Sequence, residues 1–509
     1  MSNDKALIGV DIGTQGVKAG LFEADGRCLA TAFVPSRLHE PEPGVVEEDP
    51  EYQLTTVCDV IATCMRDSGF DAGRVAGMAV DGQMAGVIGV GQDGRNVTPY
   101  DSWLDTRCAP YIDTMATKAG SDVVRKAGCP PSINHGPKML WWKHERPEDY
   151  ARIAAFVQPG GYVAMRLCGL EGSDAFIDTS YLHFTGFADN RHGRWAGDLL
   201  ETFGLDGEKL PRIVKPHDIV GGLTAALAEQ CGLSPDTPVV AGCGDTAASF
   251  LAAGAAAEGI CVDVAGTASV FAATTSAFAP DLDHRTVGCS QAATPGLWHP
   301  YAYINGGGMN LEWFRKQIAG FGMDADALSF EALNNAAAEV EPAEDLPLFV
   351  PHLGGRVSPG WPHLRGAWAG LAWKHSAGHL YRAILESVAL EYGIYRDIVG
   401  QLNPELAFRE IRVTGGGEKS NVWNQLKADA LQLDVVQLTR EEGAPLGSAL
   451  LAGFGAGVFD DLPAAASVWV QTGRRYTPNR DLGNYYRARR EAYRRLLDTL
   501  HDWTDKNTT

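Results

Sequence analysis

The chain has 509 residues, of which 45% are hydrophobic, and a formal net charge of -20. This length accommodates two to four domains, each large enough for its own core. The acidic balance disfavours nucleic acid and anionic membrane surfaces as partners of the whole chain. The sequence has no run of about 18 apolar residues, its start lacks the apolar stretch of a secretory signal, and its ten cysteines form no C-x-x-C pair. We therefore expect a cytoplasmic protein without a membrane span, a zinc site or a disulfide framework.

Strand patterns alternate with helical patterns along the chain, which predicts an α/β fold. In the first half, strands are predicted to end at Asp11 and to lie at 20–22, 28–33, 87–90 and 237–240, and helices at 49–69 and 246–257. In the second half, strands are predicted at 410–414 and 435–438, and helices at 310–319, 377–401, 420–433, 447–453 and 487–495, the last with its basic face in solvent. A domain boundary is predicted near 254–259, between two glycines, and it divides the chain into domains 1–254 and 255–509.

One strand–turn–strand pattern occurs twice, once in each half of the chain. Each copy, at 8–18 and at 260–270, joins an apolar β-branched run, an Asp and a Gly-Thr turn. Glycine lets backbone N–H groups approach a ligand and Thr adds a hydroxyl, so Gly13-Thr14 and Gly266-Thr267 suit phosphate oxygens. Two such turns indicate a duplicated protein that holds a polyphosphate between its halves. Two unrelated hairpins are the alternative interpretation.

Four acidic residues end or follow strands beside glycine turns, at Asp11, Asp81, Asp245 and Asp263. Asp11 and Asp245 end apolar strands, where α/β proteins collect their ligands, and we assign these two to function. We interpret Asp81 and Asp263 as structural residues that satisfy turn amides or cap helices. The sequence therefore predicts one pair of reactive acids rather than a cluster of four.

A phosphoryl-transfer site needs backbone donors and a cation around the phosphates, and an acid that accepts the proton of the acceptor hydroxyl. Asp11 beside Gly13-Thr14 fits the acid on the metal side, and Asp245 fits the base. Gly266-Thr267 fits the terminal phosphates from the other half. Lys18 either contacts phosphate or points to solvent, and the sequence does not separate these two alternatives.

A glycine triplet at 415–417 follows a predicted strand and precedes a predicted helix, which places N–H groups at a helix N-terminus. A plain helix-entry turn is the alternative, although three glycines exceed what capping requires. The triplet is not a Walker-type loop, and no ordered dinucleotide fingerprint follows the first strand. Nicotinamide chemistry is therefore disfavoured.

Two further segments supply the groups that a polyol pocket uses, which are hydrogen-bonding side chains and a stacking face. Gln83 and Met84 lie in one segment, and Trp103, Asp105 and Arg107 lie in the other. Each of these residues alone is more often structural, so the prediction of a pocket depends on their occurring together.

These motifs resemble those of the FGGY carbohydrate kinases, and most closely those of the xylulose kinase branch. The resemblance extends from about residue 6 to 456, and a tail similar to that of the family follows. Eight motifs carry it in order: Asp11-Ile-Gly-Thr-Gln-Gly-Val-Lys18, Gly82-Gln-Met-Ala-Gly86, Trp103-Leu-Asp-Thr-Arg107, Ala241-Gly-Cys-Gly-Asp-Thr-Ala-Ala248, Ala265-Gly-Thr-Ala-Ser269, Pro351-His-Leu-Gly-Gly-Arg356, Thr414-Gly-Gly-Gly-Glu-Lys-Ser-Asn421 and Pro445-Leu-Gly-Ser-Ala449. Each motif alone is modest, whereas eight in order are highly specific.

The resemblance implies two actin-like, ribonuclease-H-like domains with a central cleft, and it implies ATP and Mg²⁺. Asp245 matches the catalytic base, and Asp11 matches the acid near the metal and the substrate, so both are implied metal contacts. The implied nucleotide contacts are Gly13, Thr14, Gln15, Lys18, Gly266, Thr267, Gly416, Gly417 and Asn421. The implied sugar contacts are Gln83, Met84, Trp103, Asp105, Arg107 and Asp245. A homodimer is also expected from the resemblance.

The chain departs from the xylulose kinase pattern around the sugar. Ala85 stands where a His is common, Leu104 where an Asn is usual, and Thr246 where an Asn often follows the base. A later signature is reduced to Gly354-Gly-Arg-Val-Ser-Pro359, without its Glu. These differences leave the phosphoryl-transfer residues intact and weaken the assignment to D-xylulose.

We therefore expect an ATP-dependent kinase of D-xylulose. Three alternatives stay open: a kinase of the same family for another ketose or a sugar alcohol, an actin-like nucleotide-dependent binding protein without sugar transfer, and a catalytically inactive sugar sensor. The retained acids argue against the last two.

Overall fold

A computed structural model describes residues 4–322 and 328–507. Within these ranges two sheets form, one from each half of the chain. None of the helices described there is both long enough and apolar enough to cross a bilayer.

The first sheet has six strands, with β1 at its centre. In chain order its strands are β1 (Ala6–Ile12), β2 (Gly16–Glu23), β3 (Cys28–Pro35), β4 (Val75–Gly82), β5 (Ile219–Gly222) and β6 (Pro238–Val240). Their order across the sheet is β5-β6-β4-β1-β2-β3, in which β1 pairs antiparallel with β2 and parallel with β4. Side chains of β1 and β4 are almost all buried, as expected for strands covered on both faces.

The second sheet repeats this arrangement and adds one strand at its edge. Its strands are β7 (Ile260–Ala265), β8 (Ser269–Ala273), β9 (Gly288–Gln291), β10 (Trp298–Ile304), β11 (Glu410–Thr414), β12 (Asp434–Leu438) and β13 (Thr472–Tyr476). The order is β9-β10-β8-β7-β11-β12-β13, in which β7 pairs antiparallel with β8 and parallel with β11. The equivalent pairing around β1 and β7 confirms the duplication that the repeated turn predicted.

Sixteen α-helices cover or connect the described parts of the sheets. They are α1 (Pro50–Ser68), α2 (Ala109–Ala127), α3 (His135–Glu145), α4 (Pro147–Arg152), α5 (Pro159–Cys168), α6 (Leu182–Thr185), α7 (Gly197–Phe203), α8 (Ala225–Cys231), α9 (Asp245–Ala252), α10 (Gly307–Trp313), α11 (Phe330–Ala338), α12 (Ala377–Leu402), α13 (Asn421–Leu431), α14 (Ala444–Gly455), α15 (Leu462–Trp469) and α16 (Gly483–Asn507). Short two-stranded pairs, such as Leu348–Val350 with Ala367–Ala369, complete the fold.

The first predicted helix illustrates how well local signals defined the elements. Helix α1 begins after Asp49, whose side chain accepts a hydrogen bond from the N–H of Glu51, and it ends at Gly69 with φ 63°. Asp49 is the kind of residue that caps a helix N-terminus, and a glycine in the left-handed region is a common helix end. The helix predicted at 310–319 is α10 followed by a π-helical segment, Phe314–Ala319. The helix predicted at 246–257 is shorter and ends at Ala252.

Helix α14 comes from the second half but packs on the first sheet, against β1 and β4, and on α9. Small residues make this approach close. A Cβ placed on Gly9 of β1 would lie 1.8 Å from the carbonyl oxygen of Pro445, and one on Gly447 would lie 2.0 Å from that of Ala248. The tightly packed helix predicted at 447–453 is thus confirmed, and it connects the two halves.

Asp263 is structural, as predicted. It is fully buried, accepts a hydrogen bond of 2.7 Å from the Tyr392 hydroxyl, and forms an ion pair with the buried Lys427. Asp263 lies three residues before its turn glycine, whereas Asp11 lies two residues before Gly13. Because side chains alternate between the faces of a strand, the extra residue turns Asp263 to the opposite face, against α12 and α13.

The basic segment at 487–495 lies in the terminal helix α16 and is solvated only in part. Arg487 and Arg495 are exposed, as predicted, but Arg489 is buried and paired with Glu386, and Arg490 is buried beside Asp397. The prediction missed these two because it weighed the charge of the segment and could not see the acidic partners that α12 supplies. Burial of a paired arginine is tolerated since its hydrogen bonds are satisfied.

The contact of α14 with β1 gives a test of the fold. We expect Gly9→Ala to lower the free energy of unfolding by at least about 3 kcal/mol, because the new methyl group has to push a backbone carbonyl away. Denaturant unfolding followed by circular dichroism measures this change. Gly197→Ala is the matched control, since a Cβ there meets nothing within 4 Å. A Gly9→Ala variant as stable as this control would contradict the described contact.

Candidate active site

The carboxyl ends of three strand segments meet at one edge of the first sheet. The N–H of Gln83 donates to the carbonyl of Ile12 over 3.0 Å, and the N–H of Gly82 donates to that of Cys243 over 3.3 Å. Gly82 and Gly244 also form a parallel bridge. This edge therefore brings the acid of β1, the Gln-Met pair and Asp245 together, at the position where parallel sheets bind ligands.

Asp245 begins helix α9, directly after Gly244. Its carboxylate accepts hydrogen bonds from the N–H and the hydroxyl of Thr246, over 2.6 and 3.1 Å. Burial, together with the charge of Asp11, raises the pKa of Asp245 to about 7. A carboxylate with such a pKa is matched to accepting a proton near neutral pH.

Asp11 and Asp81 lie side by side on the paired strands β1 and β4. Burial raises the pKa of Asp81 well above its usual value, and the charge of Asp11 adds to this effect. Burial also raises the pKa of Asp11, while its hydrogen bond with Asp81 and the charge of Lys18 act in the opposite direction. Burial and the charge of Asp11 thus raise the pKa of Asp81 more strongly than burial raises that of Asp11. Ser448 of α14 donates to the other oxygen of Asp81.

The first Gly-Thr turn lies between β1 and β2. The N–H of Gly13 donates to the carbonyl of Gly16 over 3.1 Å, and the N–H of Gly16 donates to the carbonyl of Gly13 over 3.2 Å. The Ser36 hydroxyl also donates to the carbonyl of Gly13. Among the described contacts, the N–H groups of Thr14 and Gln15 donate to no protein acceptor. They are therefore free to donate to an anionic oxygen. Lys18 lies directly opposite Asp11 in the β1–β2 register, with an exposed side chain.

The second Gly-Thr turn is surrounded by glycine-rich segments of the second half. The N–H groups of Gly308 and Met309 donate to the carbonyls of Gly266 and Thr267, over 2.9 and 3.1 Å. Gly415 approaches from the other side with φ 88°, and a Cβ there would lie 2.9 Å from the carbonyl oxygen of Ala265. Only glycine combines this left-handed backbone with so close an approach. Two predicted nucleotide segments, 266–267 and 415–417, are therefore adjacent.

Gly416 and Asn421 occupy different surroundings within this region. A Cβ on Gly416 would meet nothing within 4 Å, so its backbone borders open space. The side-chain oxygen of Asn421 accepts hydrogen bonds from Arg474 and from the Tyr476 hydroxyl, over 3.1 and 2.6 Å. A contact between Asn421 and a nucleotide stays a prediction, and it would have to use the amide nitrogen or follow a change of these bonds.

On the acceptor side, Gln83 is fully buried and donates to Glu48 over 2.8 Å. Its side-chain oxygen is buried without a hydrogen-bond partner in the described structure, which leaves it available to a hydroxyl. Met84 packs closely against Gly244: a Cβ added to Gly244 would lie 2.7 Å from the Met84 sulfur. Ala85 has φ 69°, which is uncommon for a residue with a side chain.

Asp105 and Arg107 pair with each other next to this pocket. Asp105 is buried, accepts a hydrogen bond from the N–H of Val46 over 2.9 Å, and lies 2.9 Å from the Arg107 guanidinium. Arg107 also pairs with Glu47 over 2.9 Å and stacks on Trp141. Direct sugar contacts from these two residues stay predictions: most of their polar atoms hold the loop in place, and Nη2 of Arg107 is buried without a hydrogen-bond partner in the described structure.

Trp103 extends from this loop to the first phosphate turn. Its indole N–H donates to the Thr14 hydroxyl over 2.9 Å, and its side chain is 44% exposed. The loop that carries Trp103 is held by Lys138, whose buried ammonium donates to the carbonyls of Ser102 and Asp105 over 2.7 and 3.1 Å. The hydrogen bond between Trp103 and Thr14 brings the predicted acceptor and phosphate segments together.

Sequence reasoning missed several residues that build the site. The Tyr181 hydroxyl donates to the carbonyls of Gly82 and Cys243, over 2.9 and 3.2 Å, and the N–H of Gly244 donates to the Ser180 hydroxyl over 2.9 Å. These contacts fix the turn before Asp245. Asp178 ends the strand Phe176–Asp178 directly before them and accepts a hydrogen bond from the N–H of Ser180, but no glycine turn stands beside it, and this segment was not singled out from the sequence.

The described residues fit a nucleotide and a cation. Free N–H groups at 14–15 and the open backbone at Gly416 suit phosphate and adenosine, and the buried Oδ1 of Asp11 has no hydrogen-bond partner there. No group of three or more His, Cys, Asp or Glu side chains in the described ranges could hold a metal alone. Asp11 and Asp245 therefore fit Mg²⁺ in the way typical of this ion, through one or two carboxylates together with substrate phosphates.

Comparisons with known proteins agree with this geometry. Residues 6–252 match the model of the N-terminal domain of the FGGY family of carbohydrate kinases, and residues 261–456 match that of its C-terminal domain. The xylulose kinase of Bacillus subtilis is 27% identical over 508 residues, which cover 98% of each chain. The gluconokinase of the same organism is 26% identical over 490 residues, which cover 95% of this chain and 93% of the relative.

A solved structure shows the same fold. The crystal structure of the xylulose kinase from Rhodospirillum rubrum superimposes with a TM-score of 0.89 at 26% identity, covering 98% of this chain and 100% of that one. The predicted fold class, with two ribonuclease-H-like, actin-like domains, is confirmed by this match and by the two equivalent sheets.

The position of Asp245 leads to a test of its chemical role. We expect Asp245→Asn to lower kcat by about 10²–10⁴-fold, because the variant cannot accept a proton. Binding of a non-hydrolysable ATP analogue, measured by calorimetry, should change by less than about threefold, since the phosphate turns are untouched. Glu229→Gln, an exposed carboxylate-to-amide change on α8, is the control. Turnover of Asp245→Asn at the control's rate would exclude Asp245 as the base.

Proposed function

Because the chain belongs to the FGGY family of carbohydrate kinases, we propose that it transfers the γ-phosphoryl group of Mg-ATP to D-xylulose and forms D-xylulose 5-phosphate. The observation that carries this proposal is Asp245, a partly buried carboxylate with a pKa of about 7 at the edge where the acceptor and phosphate segments meet. The xylulose kinases among its relatives support the choice of sugar.

The protein's own groups would divide the reaction between them. Asp245 accepts the proton of the acceptor hydroxyl, and Thr246 holds the carboxylate in position by donating to it. Gln83 binds a second hydroxyl through its free oxygen, and the N–H groups of Thr14 and Gln15 bind phosphate oxygens. Asp11, together with the phosphates, would hold Mg²⁺, which would supply positive charge against the charge that develops during transfer.

The charges around the pocket favour a neutral acceptor over an aldonate. Asp11, Asp245 and Glu48 are acidic. Of the cations nearby, Arg107 pairs with Glu47 and Asp105 and Lys138 donates to backbone carbonyls, while Nη2 of Arg107 and the exposed Lys18 have no described partner. A carboxylate placed about 6 Å from one unpaired acid would cost about 3 kcal/mol at an effective dielectric constant of about 20. This cost supports a ketose rather than gluconate, although gluconokinases are among the relatives.

A different neutral acceptor is the second candidate, and Ala85 is the observation that favours it. The methyl group of Ala85 supplies no hydrogen bond where xylulose kinases commonly have an imidazole. Its φ of 69° lies in the left-handed region, which residues with a side chain adopt uncommonly. Another ketose or a sugar alcohol would fit the same neutral pocket. An actin-like binding protein without transfer is the less well supported reading, because it leaves the proton acceptor without a role.

We also propose a cytoplasmic location and no nucleic-acid partner. All ten cysteines are unpaired, as is usual in a reducing compartment, and the net charge of -20 opposes binding to polyanions.

The proposed acceptor is tested by a phosphorylation screen with Mg-ATP across ketopentoses, ketohexoses, alditols and aldonates. We expect kcat/KM for D-xylulose to exceed that for gluconate by about 100-fold or more, which corresponds to the electrostatic cost of about 3 kcal/mol. ADP release measured with a coupled assay gives the rates, and a reaction without sugar is the control. A preference for gluconate would overturn the neutral-acceptor argument, and no sugar-dependent ADP release would overturn the proposed function.

A homodimer is proposed from a surface of the second half. Trp373 is fully exposed and adjoins a groove of about 920 Å³ between α16 and the Leu348–Val350 hairpin. The groove has largely apolar walls and Glu344 at its rim, and Lys374, next to Trp373, pairs with Asp345 of the same rim within the chain. A projecting residue beside a complementary groove on one face permits reciprocal docking around a two-fold axis.

We expect Trp373→Ser to convert a dimer into a monomer, because it removes the aromatic anchor of the proposed interface. Size-exclusion chromatography with light scattering measures the mass. Phe33→Ser, which changes a half-exposed aromatic residue on the first sheet, should leave the dimer intact. A monomeric wild-type protein, or a dimeric Trp373→Ser variant, would contradict this interface.

A further inference from the structure

The hydrogen bond between Trp103 and Thr14 joins two segments that are far apart in sequence. The indole N–H of Trp103 donates to the Thr14 hydroxyl over 2.9 Å. It is the one hydrogen bond of the Thr14 side chain among the described contacts. Since Trp103 is 44% exposed, water could satisfy its N–H equally well. The indole N–H therefore does not need Thr14 as a hydrogen-bond partner. The position of this bond beside the phosphate turn calls for another explanation.

The polarity of this bond restricts what the Thr14 hydroxyl can do. A threonine hydroxyl has one proton to donate and two lone pairs that accept, and an indole nitrogen only donates. Thr14 must therefore be the acceptor, and its own proton cannot point toward Trp103. The proton remains free for another acceptor. The N–H groups of Thr14 and Gln15 at the same turn are also without protein acceptors.

The loop that carries Trp103 is held firmly enough to impose this orientation. The N–H of Ser102 donates to the carbonyl of Val46 over 2.9 Å, and the N–H of Val46 donates to Asp105 over 2.9 Å. Lys138 adds two bonds to the carbonyls of Ser102 and Asp105. The backbone on both sides of Trp103 is thus fixed, and a side chain with two torsion angles can hold the hydroxyl at little entropic cost.

We propose that Trp103 is a positioning residue for the phosphate turn: its indole N–H fixes the Thr14 hydroxyl as a donor, so that three donors at residues 14–15 face one anionic oxygen. This inference rests on the proposed function, because it takes the anion to be a phosphate of ATP. It assigns to Trp103 a task on the donor side, in addition to any contact with the acceptor. Preorganised donors bind an anion without reorientation when it arrives.

A double-mutant cycle between Trp103→Phe and Thr14→Val tests the proposal. Phenylalanine retains a ring and removes the N–H, and valine retains the shape of threonine and removes the hydroxyl. We expect Trp103→Phe to weaken binding of a Mg-bound non-hydrolysable ATP analogue by about 3- to 10-fold, the range for one neutral hydrogen bond. Thr14→Val should weaken it by at least as much, and the double variant should bind as weakly as Thr14→Val alone, because the two groups act together.

Three controls separate positioning from general damage. Thr14→Ser retains the hydroxyl and should restore most of the affinity. Trp503→Phe, at an exposed tryptophan on α16, should leave nucleotide binding unchanged. Melting temperatures of all variants should stay close to that of the wild type, since the Trp103–Thr14 bond lies at the surface. In steady-state kinetics with the acceptor found in the screen, Trp103→Phe should raise KM for ATP more than it changes KM for the acceptor.

The outcomes distinguish this inference from the proposed function. Additive losses in the cycle, or full affinity in Trp103→Phe, would overturn the positioning role even if the protein phosphorylates a sugar. A non-additive cycle supports the role through nucleotide binding alone, even if no tested sugar is phosphorylated. A wild-type protein that does not bind the nucleotide analogue would overturn both.

Discussion

The close contact between helix α14 and strand β1 is the constraint on which the rest of the site depends. It requires glycine at position 9, where a Cβ would lie 1.8 Å from the carbonyl oxygen of Pro445. The same contact places Ser448 against Asp81 and thereby holds the buried carboxyl beside Asp11. A helix from the second half thus completes the reactive edge of the first sheet, and a change in its packing would alter stability and catalysis together.

The carboxyls at this edge explain why the site is suited to a cation. Burial raises the pKa of Asp11, Asp81 and Asp245, and the charge of Asp11 raises that of Asp81 and Asp245 further, so three negative charges at this edge are unfavourable without compensation. A proton on Asp81 relieves part of the repulsion, and a divalent cation near Asp11 would relieve more. Cation binding and phosphoryl transfer are therefore coupled by electrostatics rather than by a rigid cage of ligands.

Much of the fold could be predicted from the sequence because its signals are local. The Asp49 cap, the Gly69 terminator and the repeated turn each reflect the conformational preference of one or two residues. The site was predictable to the extent that its residues belong to such turns. The roles of Tyr181 and Glu48 could not be predicted, because they depend on carbonyls or side chains far along the chain. The burial of Arg489 could not be predicted either, because it depends on an acid of another helix.

The duplicated turn explains why the two halves have different chemical roles. Both copies present Gly-Thr donors, but the additional residue before Gly266 turns Asp263 to the opposite face, where Lys427 neutralises it. The second turn therefore offers donors without an acid nearby, which suits the phosphates of a nucleotide. The first turn retains Asp11 on the face that α14 covers, next to Asp81 and near Asp245. One residue of register thus keeps the proposed reactive carboxylates in the first half, while each half contributes a Gly-Thr turn to the proposed phosphate contacts, so the proposed transfer would occur where the two halves meet.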